Sequence, residues 1–132
     1  MKNIFNLLIS CCLLFVGCAT IAPVWKTIPE TNYSYEKAWP IIVNSVSDKF
    51  DIETIDANSG YLRTTWKVKK DWTGTPDTRT RVVVRTETKN PLKFSFRAEV
   101  EGYNTFLEEW QAKGNDEKIE SEMQMDFSSR FK

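Results

Sequence analysis

The residues of this chain whose side chains could do chemistry are few. They are three thiols, Cys11, Cys12 and Cys18, and a scatter of carboxylates such as Asp51, Glu53, Glu108 and Glu109. Acid–base work by two carboxylates needs them held at a defined separation, and nothing in this spacing holds any two so. The chain contains no histidine. It therefore has no ordinary near-neutral proton acceptor, no Ser–His pair and no His-based zinc site. A glycine-rich phosphate loop is absent as well. No catalytic residue, metal site or cofactor is expected, and the chain is not expected to be an enzyme. The remaining chemistry belongs to Cys18.

Cys18 follows Gly17 at the end of a stretch with a basic start, Lys2, and an apolar middle over residues 4–16. That is the layout of a secretory signal, and the apolar run of roughly 13 residues is short of the ~20 that a spanning helix needs. With the cysteine placed directly after Gly17, the segment resembles the lipobox of bacterial lipoproteins. The resemblance implies a diacylglyceryl group on the thiol, cleavage before Cys18 and acylation of the new amine by a palmitate-type chain. The expected organisation is a signal peptide over residues 1–17, a lipidated Cys18 with a short tether over 18–23, and one domain over 24–132. Such a tether holds the domain within about 15–20 Å of its anchor.

Removing residues 1–17 takes away a single charge, Lys2, from a chain with 18 basic and 18 acidic side chains. A balance so close to zero gives no general attraction to nucleic acid. Cys11 and Cys12 fall in the signal and Cys18 carries lipid, so stability rests on packing without disulfides. Aromatic residues make up 13% of the chain, and several fall outside the positions that a core requires.

The elements that must position these residues follow from periodicity. Residues 24–29 alternate weakly and read as a first strand ended by Pro29. Ser34 is placed to cap a helix in which Trp39, Ile42, Val46 and Phe50 recur at helical spacing, with Pro40 bending its start. Ile52 and Thr54 begin a short strand with an irregularity near Ile55, and Asn58-Ser59-Gly60 is a turn. Leu62, Thr64, Trp66 and Val68 then share one strand face. Residues 70–77, with Trp72, Gly74 and Pro76, read as a surface loop.

For the next hairpin the expected register comes from a three-residue loop, Lys89-Asn90-Pro91. It pairs Thr88 with Leu92, Val84 with Phe96, Arg81 with Glu99 and Arg79 with Glu101. The charge pairs read as solvated sheet surface. Residues 103–111 fit a helical turn or a loop on the sheet edge. Asn115 is placed to cap a last helix with the stripe Ile119, Met123, Phe127 and Phe131. The expected fold class is α+β: an antiparallel sheet of about four strands, with an N-terminal and a C-terminal helix packed on one face in a helix-grip-like arrangement.

Tyr35-Glu36-Lys37-Ala38-Trp39 at the helix start, Asp56-Ala57-Asn58-Ser59-Gly60-Tyr61-Leu62 at the first hairpin, and the strands at residues 79–87 and 92–100 together resemble the BamC (NlpB) family of outer-membrane assembly lipoproteins. That family carries a long N-terminal segment and two grip domains, whereas this chain has about five tether residues and one domain, so contacts of the long segment map onto no residue here. The resemblance implies a non-enzymatic lipoprotein of the cell outer membrane, its domain in the periplasm, acting as an accessory or scaffold for an envelope protein partner. Ala19 after Cys18 favours outer-membrane sorting by the enterobacterial convention. Trp72, Tyr103, Phe106 and Trp110 are the candidate partner-binding residues, because exposed aromatics dominate binding hot spots; the alternative is that they plug the open edge of the sheet. The alternative is a carrier of a small apolar ligand or lipid, held between helix and sheet by Trp66, Phe94, Phe96, Phe127 and Phe131.

Overall fold

In the computed structural model, which describes residues 21–132, the elements run β1 (Lys26–Thr27), α1 (Tyr35–Ser47), β2 (Ile52–Asp56), β3 (Tyr61–Thr64), β4 (Lys67–Lys70), β5 (Pro76–Lys89), β6 (Leu92–Asn104), β7 (Glu109–Asn115) and α2 (Glu117–Arg130). The signal segment, Cys11, Cys12 and Cys18 lie outside the described residues. All strands pair antiparallel in one sheet of order β1-β6-β5-β3-β2, with β4 also on β5 and β7 also on β6. The expected four-stranded, helix-grip-like sheet with both helices on one face is thereby corrected: seven strands dominate two short helices.

The extra strands have identifiable causes. Arg63 faces Val83 and Lys67 faces Thr80, so Thr64, Thr65 and Trp66 on one side oppose only Val82 and Arg81 on the other. This bulge divides one expected strand into β3 and β4 and reverses the side-chain alternation. Leu62 and Thr64 are buried in the core, whereas Trp66 and Val68 fall on the opposite face. Residues 103–111 are neither helical turn nor edge loop. β6 runs on to Asn104, turns, and returns as β7, with Tyr103 facing Trp110. The first strand shortens to Lys26–Thr27, which pairs with Phe96 and Ser95.

The β5–β6 hairpin keeps the expected pairs Val84 with Phe96, Arg81 with Glu99 and Arg79 with Glu101. It reaches them differently. Lys89 pairs with Leu92 across a two-residue turn, Asn90-Pro91, and an irregularity between Thr86 and Thr88 restores the parity that this shorter turn would have inverted. The first hairpin is equally constrained. Gly60 has φ of +69°, and a Cβ there would lie 1.8 Å from Thr86 Oγ1, so only glycine lets β3 approach β5.

The core forms where Ala38, Trp39, Ile42 and Val46 of α1 and Met123 and Phe127 of α2 meet Leu62, Val82, Val84, Phe94, Phe96 and Ala98. Phe50, expected at the end of the first apolar stripe, is buried with them. The first helix starts at the expected cap residue and the second does not. Ser34 stands at the α1 N-cap without a side-chain hydrogen bond. Asp116, not Asn115, caps α2 by accepting from the Ile119 amide at 3.1 Å. Asn115 instead ties β7 to the incoming chain, accepting from the Val24 amide at 2.6 Å and donating to its carbonyl at 2.7 Å. The helices are joined by Ser45 donating to Asp126 and by Arg130 pairing with Asp48 at 2.6 Å.

Phe96 is fully buried and meets Phe127 edge to face, ring centroids 5.3 Å apart. Phe96→Ala is expected to lower unfolding free energy by ~3–5 kcal/mol in urea titration, since the surrounding strands and helix cannot close the cavity. A loss below about 1 kcal/mol would contradict the core described above.

Candidate interaction surface

Because Val82 and Val84 point into the core, strand alternation turns Arg79, Arg81, Val83 and Arg85 of β5 to the opposite face, beside Ser95, Arg97, Glu99 and Glu101 of β6. The register makes charge partners of them. Arg79 pairs with Glu101 at 2.5 Å; Glu99 takes Arg81 on one carboxylate oxygen at 2.6 Å and Arg97 on the other at 2.5 Å. Glu99 is only 7% exposed. These pairs are therefore not solvated surface as expected. They form a partly buried layer whose charges are compensated within it. Arg97 Nε is buried and has no hydrogen-bond partner among the described residues.

What covers this layer is tryptophan supplied from outside the central hairpin. Trp25, just before β1, lies over Arg85 and Arg97, with guanidinium carbons 4.0 and 4.4 Å from its ring centroid. Trp66, from the bulge between β3 and β4, lies over Arg79 and Arg81 at 4.5 and 4.4 Å. Trp110 of β7 takes Arg79 from the other flank at 4.5 Å and meets Tyr103 edge to face at 5.1 Å. Stacking of a guanidinium on indole contributes ~0.5–1 kcal/mol when exposed and more when water is excluded. At the end of the layer the Ser95 hydroxyl donates to Glu87 at 2.6 Å, and Arg85 adds a second contact. That hydroxyl, then Arg85, holds the Glu87 carboxyl below the usual carboxylate range.

The four residues expected to bind a partner are divided by the structure into two environments. Tyr103 and Trp110 belong to the stacked layer. Trp72 and Phe106 sit in turns and are 96% and 91% exposed. Both turns are built to hold them out. Asp71 Oδ1 accepts from the Thr73 hydroxyl at 2.6 Å, the Thr73 amide at 2.8 Å and the Thr75 amide at 3.0 Å, which closes a loop around Trp72. The Thr73 hydroxyl leads the contacts that keep the Asp71 carboxyl below its ordinary range. Asn104 Oδ1 does the same for Phe106 and Leu107, accepting both amides at 3.0 Å.

The other expected groups come apart. Glu53 pairs with Arg63 on β2 and β3, while Glu108 and Glu109 lie at the β6–β7 turn, across the sheet from Asp51 and Glu53. Of the aromatics expected to line a ligand cavity, Phe94, Phe96 and Phe127 are buried core and Phe131 packs against it, whereas Trp66 is on the opposite face. Trp25, Arg85 and Arg97 were not anticipated. The alternation that buries Phe94, Phe96 and Ala98 was sufficient to place Arg97 outward beside Glu99. No local signal brings Trp25 there, because its position follows from the pairing of β1 with β6.

Glu99→Ala is expected to lower stability by ~1–3 kcal/mol in urea titration, since it leaves two partly buried guanidiniums without their counter-charge. Glu101→Ala, at a more open site with one partner, is expected to cost less. Equal and negligible effects would show the layer to be solvated after all. No known family model matches this chain, and no curated protein matches it in sequence.

Proposed function

We propose that this protein is an envelope lipoprotein, anchored to the cell outer membrane by lipid on Cys18, whose periplasmic domain serves as a non-enzymatic accessory or scaffold in the assembly of outer-membrane proteins. The observation that carries the binding role is the stacked face itself. It presents Trp25, Trp66, Trp110 and Tyr103 interleaved with Arg79, Arg81, Arg85 and Arg97, already fixed by ion pairs and stacking. Trp, Tyr and Arg are the residues enriched at binding hot spots, and side chains immobilised beforehand lose little entropy on association. The lipid anchor rests on the resemblance of residues 1–18 to a lipobox. Against a chemical role stand the lack of histidine and the dispersal of Asp51, Glu53, Glu108 and Glu109 over opposite edges of the sheet.

The test is recovery of a protein partner from detergent-solubilised membranes with the intact lipidated chain as bait. Trp66→Ala and Trp110→Ala are expected to reduce recovery by an order of magnitude or more, as truncation of an interfacial anchor does. Met125→Ala, on the exposed side of α2, is expected to leave it unchanged. Thermal melts of the same variants separate lost binding from lost folding. Folded Trp66 and Trp110 variants that recover the partner as well as wild type would end this reading.

A further inference from the structure

The turns that expose Trp72 and Phe106 project from the same end of the sheet. β5 begins at Pro76, just past the first turn, and β6 ends at Asn104, just before the second; Thr78 faces Gly102, which sets the two turns side by side. Neither aromatic serves the core or the stacked face. Leu107, 54% exposed, stands beside Phe106.

The incoming chain points to that same end. β1 runs antiparallel to β6, so the chain before Lys26 heads in the direction of Asn104 and meets the end of β7, which takes that edge of β6 from Glu99 onward. Trp25 lies on Arg97, Val24 is tied to Asn115, and Asn115 faces Glu99. Ile21 reaches the backbone of Gly114, the partner of Val100: a Cβ on that glycine would lie 3.0 Å from Ile21 Cγ2. From Val100 to Asn104 is about 14 Å of strand. Cys18 stands three positions before Ile21 in the sequence, a span of at most about 10 Å. The described start of the chain therefore lies on the half of the sheet that leads to both turns, and an anchor at Cys18 would be tethered there through a short span.

We infer that the Trp72 turn and the Phe106–Leu107 turn enter the interfacial layer of the bilayer that holds the Cys18 lipid, fixing the domain end-on to the membrane. The inference rests on the lipid anchor proposed above. Indole and phenyl rings are favoured at the level of the headgroups, where one edge is apolar and the other wet. Charge selects the kind of surface. Lys69 and Lys70 beside Trp72 are offset by Asp71, Asp77, Glu108 and Glu109, so no positive excess recruits anionic lipid. Contact is then apolar insertion into a zwitterionic surface, with the acyl chain as the first attachment and the turns as the second. The stacked face consequently stands along the membrane normal and remains open to the periplasm.

The full lipidated protein is reconstituted into vesicles of phosphatidylcholine, or of phosphatidylcholine brominated near the top of its acyl chains, and tryptophan emission is compared. Flotation of the vesicles and the intact mass of the protein report the anchor separately. Brominated lipid is expected to quench part of the wild-type emission, and Trp72→Phe to abolish that quenched part while still floating with the vesicles. The exposure of Trp72 makes this substitution neutral for folding. Flotation with equal quenching in wild type and Trp72→Phe would overturn the inference and leave the anchor standing. Protein that neither floats nor carries mass on Cys18 would overturn both.

Discussion

Antiparallel pairing of β5 with β6 is the interaction on which everything else in this structure depends. A strand has two faces and one register, so a single pairing decides both what is buried and what is displayed. With Val84 opposite Phe96 and Val82 opposite Ala98, the inward side becomes the core seat for Ile42, Met123 and Phe127. The same register leaves Arg81 opposite Glu99 and Arg79 opposite Glu101, and thereby makes the outward side a set of compensated charges. A slip of one residue would bury guanidiniums and expose valine. The irregularity between Thr86 and Thr88 shows the constraint at work: the turn is one residue shorter than parity requires, and the strand absorbs the difference before Val84 is reached.

The flanking strands each contribute one tryptophan to the outward layer, and each does so through an edge or a defect. Trp25 arrives ahead of the two-residue β1, Trp66 from the bulge that separates β3 from β4, and Trp110 from β7. Stacked indoles shield the Arg–Glu pairs from water, which strengthens the pairs, while the pairs hold the guanidiniums flat under the rings. Packing and charge here are one cooperative unit. Such a surface is held in place by contacts within the chain itself.

The parts legible in the sequence were those governed by unbroken periodicity. The spacing of Trp39, Ile42, Val46 and Phe50 identified a buried helix stripe, and alternation along residues 82–84 and 94–98 identified the central pairs and their outward charges. What failed were features decided by one residue more or less. Alternation through Leu62, Thr64, Trp66 and Val68 looks continuous, yet Thr65 and Trp66 together oppose Arg81, and the last two residues change sides. Residues 103–111 carried no clear period because their turn spends Phe106 and Leu107 on exposure. Trp72 and Phe106 were recognisable as surplus to the core, but only the fold shows that they share one end. Nothing local in the sequence could reveal that Trp25 covers Arg85 and Arg97, since that contact follows from long-range pairing.

The partner proposed above would dock on the stacked face, away from the helices. The most direct measurement is site-specific photo-crosslinking in cells, with the photoreactive residue at Ala112, which is exposed and faces Glu101 on that side, or at Ser121, exposed on α2. A discrete crosslink to an envelope protein is expected from position 112 and none from position 121. Crosslinks from position 121 alone would contradict that docking.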